Sequence, residues 1–221
     1  MVLAQILLNG ILLGGLYGLM ALGMALVWGV LNIVNLAHGA LIMLGGYVVF
    51  CLFQYAHVDP FAALPIAMLV MFGVGFLLQY CLLNLIVRSA LLNTLLITFG
   101  LDVVITYMAQ LVFTADFRAI NPSYAGANFS VFGLTVPLIR LAAFLIALVL
   151  ACALWALLNL MPLGRAIRAT SQNLTAARLY GVDPRSVYAI TFGIGAALAG
   201  AAGGLYGMIS NLTPYIGASL T

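Results

Sequence analysis

The stretch "WGVLNIVNLAHGALIMLGG", residues 28–46, sets two asparagines, a histidine and several glycines inside otherwise apolar sequence. Whether this is a soluble core or a membrane span is decided by the chain around it. Of 221 residues, 66% are hydrophobic and 5% charged, and the mean hydropathy is +1.26. So few charges cannot cover the surface of a soluble domain of this size. The chain therefore reads as an all-α, polytopic transmembrane helix bundle, and Asn32, Asn35 and His38 must find partners where lipid offers none.

A span needs about 20 apolar residues. Working outward from residues 28–46, about six spans are predicted: Val2–Val30, Ala37–Tyr55, Pro60–Val87, Leu91–Phe113, Leu138–Leu160 and Ser186–Ile209. Lys and Glu are absent, so every side-chain cation outside histidine is an arginine. Placing the basic loop 161–185 in the cytoplasm puts Arg88, Arg165, Arg168, Arg178 and Arg185 inside, and leaves Arg118 and Arg140 outside. The positive-inside rule favours that orientation, which sets the N-terminus outside. The N-terminus shows no basic n-region or small-residue cleavage site and reads as a retained span. Cys51, Cys81 and Cys152 lie in apolar runs without metal-ligand or disulfide spacing and read as small buried hydrophobes.

Gly29 and Gly39 bracket Asn32, Asn35 and His38, so a broken or re-entrant helix is expected near 32–39. Irregular backbone at membrane depth is tolerated only where it faces protein or a water-filled cavity. Two readings stay open: the three side chains tie neighbouring helices together, or they line a translocation path. Asp102, in the middle of the fourth span, must face the bundle interior, be neutral, or pair with another subunit, since a charge at that depth costs at least about 2.5 kcal/mol. Gly195, Ala199 and Gly203 recur four apart and allow close helix approach. "GGLYG" appears at 14–18 and again at 203–207, a short echo that hints at an internal repeat.

In the basic loop, Pro162 and Gly164 end the fifth span and residues 165–180 can form one short helix. Gly181 suits a left-handed closing position, and Asp183 followed by Pro184 suits the start of the sixth span. The outer loop 114–137, with its Pro, Gly, Asn and aromatic residues, suits a compact exterior turn.

"TAARLYG" (175–181) has the E-A-A-x-x-x-G pattern of the cytoplasmic loop of bacterial ABC-importer permeases, with Thr175 in place of the Glu. The wider "LGRAIRATSQNLTAARLYGVD" (163–183) is similar to the branched-chain amino acid permease family, of the LivH kind. "GLYGLMALGMALVWGVLNIVNLAHGALIMLGGY" (15–47), with its N-x-A-H-G-x-x-x-M-L-G core, resembles that family's N-terminal signature. "LLITFGL" (95–101) and "PYIG" (214–217) resemble further family blocks. Members of the family are longer, so the resemblance implies that a last, C-terminal part of a permease is missing from residues 1–221.

The resemblance implies a single transmembrane permease domain over 1–221 with a cytoplasmic coupling loop at 161–185. It implies an importer in the bacterial inner membrane, built from two permeases (a LivM-like second subunit or a second copy), two cytoplasmic ATPase subunits and a periplasmic binding protein. No G-x-x-x-x-G-K-[ST] phosphate loop occurs in the chain, so ATP and Mg would be held by the partners and this subunit would not be an enzyme. Arg165, Arg168, Thr175, Ala176, Ala177 and Gly181 are the expected ATPase-docking positions; Asn32, Asn35, His38 and Asp102 are the pathway candidates. The expected cargo is a branched-chain or related small amino acid. Rivals are a urea or short-amide permease and a passive small-solute channel. An intramembrane protease is disfavoured, since no G-x-S-x-G is present and His38 has no evident serine partner.

Overall fold

The computed structural model describes residues 2–85, 91–114, 116–131 and 134–217. The predicted end of the third span at Val87, together with Arg88, lies outside them. Eight α-helices follow in order: α1 Val2–Leu31, α2 His38–Ala56, α3 Pro60–Cys81, α4 Leu91–Phe113, α5 Leu138–Leu160, α6 Pro162–Gln172, α7 Leu174–Leu179 and α8 Pro184–Ile209. A short 3-10 turn, Leu83–Leu85, trails α3. α1 to α5 and α8 are long and apolar enough to cross a membrane.

Local chemistry sets the boundaries. Asp59 accepts the Phe61 N–H at 2.9 Å and Pro60 occupies the first turn of α3, a start that satisfies one free N–H and wastes none on proline. α8 opens the same way on Asp183 and Pro184, two residues before the predicted Ser186.

α8 is the centre of the bundle. In its most apolar window 83% of residues are buried, against 17% in those of α4 and α5, so α4 and α5 form the rim. Small residues make this possible on two faces at once. A Cβ at Gly193 would press on Phe72 of α3, and one at Gly200 on Met71 of α3. On the other face, a Cβ at Gly195 would meet Val27 and the Gly23 carbonyl of α1, and one at Gly203 would overlap the Ile42 carbonyl of α2. Lipid tails are as apolar as leucine, so helices in a membrane associate by close packing, and glycine lets backbones touch. The predicted Gly195–Ala199–Gly203 row thus packs, but it is half of a two-sided arrangement.

Three details differ from expectation. The loop 114–137 is not purely a turn: β1 (Asn128–Val131) pairs antiparallel with β2 (Leu134–Pro137), register Asn128 to Pro137, so the helical bundle carries a small two-stranded pairing. Gln5 of α1 clamps it, accepting the Thr135 N–H at 2.9 Å and donating to the Thr135 carbonyl at 2.6 Å. The segment 165–180 is two helices rather than one, because Asn173 is extended, closing α6 and capping α7 through the Ala176 N–H at 3.0 Å. Cys81 and Cys152 are exposed on the bundle surface and Cys51 is half-buried, since an apolar run in a rim helix faces outward as readily as inward.

Candidate translocation elbow and coupling loop

α1 stops at Leu31 because Asn32 turns left-handed, φ 54°, while its N–H still closes on the Trp28 carbonyl at 2.9 Å. Asparagine tolerates this conformation better than most L-residues. Residues 32–37 are then non-helical, and α2 starts at His38. Nε2 of His38 lies 2.9 Å from the Met20 carbonyl. Met20 sits about three turns before Leu31, roughly 16 Å back along the helix. The chain therefore climbs back into the bundle over 32–37, a distance such a segment spans when nearly extended. The predicted break near 32–39 is a re-entrant elbow, with His38 and Gly39 already in α2.

Irregular backbone at this depth needs partners from neighbouring elements. Thr98 of α4 donates its hydroxyl to the Val34 carbonyl at 3.0 Å. The His38 ring packs where α1 crosses α8: a Cβ on Gly23 would meet the ring at 3.0 Å and the Gly195 carbonyl at 2.9 Å. A Cβ on Gly217 would meet the backbone of Gly39 and Ala40 at 3.0 Å. "NLAHG", "LLITFGL" and "PYIG", far apart in sequence, thus meet at one place.

The candidate side chains do not share one helix face. Asn32 is exposed, whereas Asn35 and His38 are 1% and 2% exposed. Both amide atoms of Asn35, Nδ1 of His38 and Oδ1 of Asp102 are buried and find no hydrogen-bond partner among the described residues. Asp102 stands one turn beyond Thr98 on the same side of α4. Leaving such a group unpaired costs about 1–3 kcal/mol, so four unpaired atoms on three residues around one elbow call for an explanation beyond packing.

The basic loop 161–185 is built by caps. At the end of α7 the Gly181 N–H donates to the Arg178 carbonyl (2.9 Å) and the Val182 N–H to the Ala177 carbonyl (3.0 Å). These two bonds form the Schellman pattern, with Gly181 left-handed at φ 80°. Asp183 then accepts from the backbone N–H groups of Arg185 and Ser186, both at 3.2 Å, and from the Ser186 hydroxyl at 2.7 Å. That hydroxyl bond, with help from the two N–H groups, holds the Asp183 carboxyl below its usual range against the opposing effect of desolvation. Of the expected docking positions, Arg165, Thr175 and Gly181 are exposed and Ala176 is half-buried. Ala177 is 3% exposed and faces inward. Arg168 turns back to donate to Oδ1 of Asn159 at 2.6 Å.

A family profile for the permease component of the branched-chain amino acid transport system matches residues 6–221. The chain belongs to that family. Among curated relatives, the high-affinity branched-chain amino acid transport permease protein BraD of Pseudomonas aeruginosa is 28% identical, the match covering 92% of this chain and 70% of BraD. The probable branched-chain amino acid transport permease protein LivH of Methanocaldococcus jannaschii is also 28% identical, over 96% of this chain and 69% of LivH. The LivM permease protein of Escherichia coli is 31% identical, over 86% of this chain and 50% of LivM. No solved structure matches the chain.

Two features of this permease escape sequence reasoning. Leu179 and Tyr180, at the tip of loop 161–185, are 83% and 89% exposed. Their one sequence signal is position, immediately before the closing glycine. At the opposite end, Arg118 and Leu212 exchange backbone hydrogen bonds of 2.9 and 2.7 Å, tying the loop 114–137 to the segment after α8. The Tyr124 hydroxyl donates to Oδ2 of Asp59 at 2.8 Å while its ring stacks on Phe61. Burial, then that bond, pushes the Tyr124 phenol well above its usual range.

Proposed function

We propose that this chain is the membrane-spanning subunit of an ABC importer that moves branched-chain or related small amino acids inward. ATP and Mg would be handled by two cytoplasmic ATPase subunits, and the cargo delivered by a periplasmic binding protein. The observation that carries this reading is the family match over residues 6–221, together with relatives whose names describe branched-chain amino acid permeases. Similarity to both LivH and LivM proteins supports a second permease, of the LivM kind or a second copy, across the pathway.

Within this reading the elbow lines the path. Asn35, His38 and Asp102 carry polar atoms left unpaired among the described residues, and a solute crossing an apolar bundle needs such groups in turn; Asn32 stands at the mouth. The loop 161–185 receives the ATPases at its tip, through Thr175, Ala176, Leu179, Tyr180 and Gly181, with Ala177 as inward support and with Arg165 and Arg168, the latter turned back to Asn159, at its base. The N-terminus lies outside and the coupling loop in the cytoplasm, the orientation that the arginine distribution favours.

The test is uptake by the complete transporter in proteoliposomes, with leucine, isoleucine, valine, other amino acids and urea as cargo. ATP-dependent uptake of branched-chain amino acids supports the proposal; uptake of urea alone, or downhill flux without ATP, overturns it. In the same assay His38→Leu is expected to lower uptake by more than it lowers the yield of assembled complex. The reverse pattern would make His38 a packing residue.

A further inference from the structure

α1 and α5 run side by side with a furrow between them. At one end a cleft of about 310 Å³ is lined by Leu26, Gly29, Leu154, Ile167, Arg168 and Ser171. A second cleft of about 330 Å³ continues it past Gly15, Gly18, Phe144 and Ala151, and the two share Leu22. From Gly15 to Gly29 the furrow follows α1 for roughly 21 Å, longer than the roughly 15 Å half-thickness of a bilayer's hydrocarbon core. Its openness comes from missing side chains: a Cβ at Gly18 or Gly29 would meet nothing within 4 Å.

The walls are apolar along the whole length, and one end alone is charged. There Arg168 donates to the neutral Asn159, and no carboxylate pairs with it among the described residues. A guanidinium has five N–H donors, so most of its capacity stays unused. Arg165, one turn earlier on α6 and exposed, adds a second cation on the neighbouring surface. The exposed Trp28 on α1 and Trp155 on α5 lie near the same end, where tryptophan marks the membrane–water boundary. The charged mouth is thus at headgroup level, with an acyl-length apolar trough leading from it toward the bilayer centre.

We propose that this furrow holds one anionic phospholipid, its acyl chain along the α1–α5 seam and its phosphate on Arg168, with Arg165 beside it. The inference concerns the membrane-spanning bundle and stands apart from the choice of cargo. A helix of a second permease subunit is the competing occupant.

The test is native mass spectrometry of the transporter complex, purified and then titrated with phosphatidylglycerol or phosphatidylcholine. One phosphatidylglycerol per copy of this chain is expected to survive activation that strips the remaining lipid. Arg168→Gln should lower phosphatidylglycerol retention roughly fivefold, the effect of one cation near a headgroup, and leave phosphatidylcholine retention unchanged. Gly18→Leu and Gly29→Leu, which add side chains into open space, should lower retention of both lipids while the complex keeps its melting temperature. Equal retention of the two lipids with no effect of Arg168→Gln overturns the headgroup assignment. Unchanged retention in both glycine variants overturns the furrow, and a crosslink from Gly18→Cys to a partner permease helix, with no lipid retained, gives the furrow to protein and also overturns it.

Discussion

The five residues "GGLYG" occur twice, at 14–18 in α1 and at 203–207 in α8, and the two copies live in opposite surroundings. In both, the leucine is buried: Leu16 is 1% and Leu205 0% exposed. The glycines diverge. Gly14 and Gly18 have nothing within 4 Å of an added Cβ, and a Cβ at Gly15 would press into the ring of Phe144. Gly203 would strike the Ile42 carbonyl, Gly204 the side chains of Val49 and Leu64, and Gly207 those of Leu212 and Ile120. One copy leaves a surface hollow; the other lets three elements converge on the central helix. Identical local sequence therefore does not make the two helices equivalent, because glycine's value in a membrane is the approach it permits, and only neighbours decide whether approach happens.

Substitutions within the two copies can break or sharpen that contrast. Gly203→Val is expected to have the largest effect, because the obstacle is backbone of α2 and cannot rotate away. A loss of about 3 kcal/mol or more, at the high end for overpacking, should appear as failure to recover folded protein in detergent. Gly15→Leu should cost about 1–2 kcal/mol, since the Phe144 ring can shift, and lower the detergent melting temperature without abolishing assembly. If Gly15→Leu proves as severe as Gly203→Val, the claimed asymmetry between the copies fails.

Smaller effects are expected where caps replace packing. Asp183→Ala removes the acceptor at the start of α8 and should cost about 1 kcal/mol. The sign with pH follows from the lowered carboxyl. This contribution is full above the ordinary Asp range and fades as pH falls through the lowered value, so wild type and Asp183→Ala should converge in stability only in strong acid. The least effect belongs to Gly14→Leu, within about 0.5 kcal/mol of wild type, read by the same melting assay; a large loss there would mean that an unseen partner occupies that face.

Much of the architecture was legible because lipid imposes few solutions. Asp183-Pro184 marked a helix start, Gly181 marked a helix end, and apolar length marked the spans; in each case the signal is local chemistry. Asn32, Asn35 and His38 marked the broken region too, since polar groups between glycines seldom continue a span. They do not share one face, because the chain leaves the helix at Asn32 and helical spacing no longer places the side chains. Arg168 was legible as a cation on a basic loop but not as a wall of the α1–α5 furrow, for its direction depends on Asn159 of a different helix. Leu179 and Tyr180 looked like ordinary apolar residues until the short α7 turned them outward.

By itself, the sequence determined that this is a membrane bundle of about six spans, roughly where the long helices run, and which permease family its signature blocks resemble. Those properties follow from hydropathy, capping and motif, which act over a few residues. Only the tertiary structure decided that α8 is the core, that "NLAHG", "LLITFGL" and "PYIG" meet at one elbow, and that one "GGLYG" packs while the other stays open. The physical reason is that burial and approach are properties of pairs of elements, fixed by which helix lies against which.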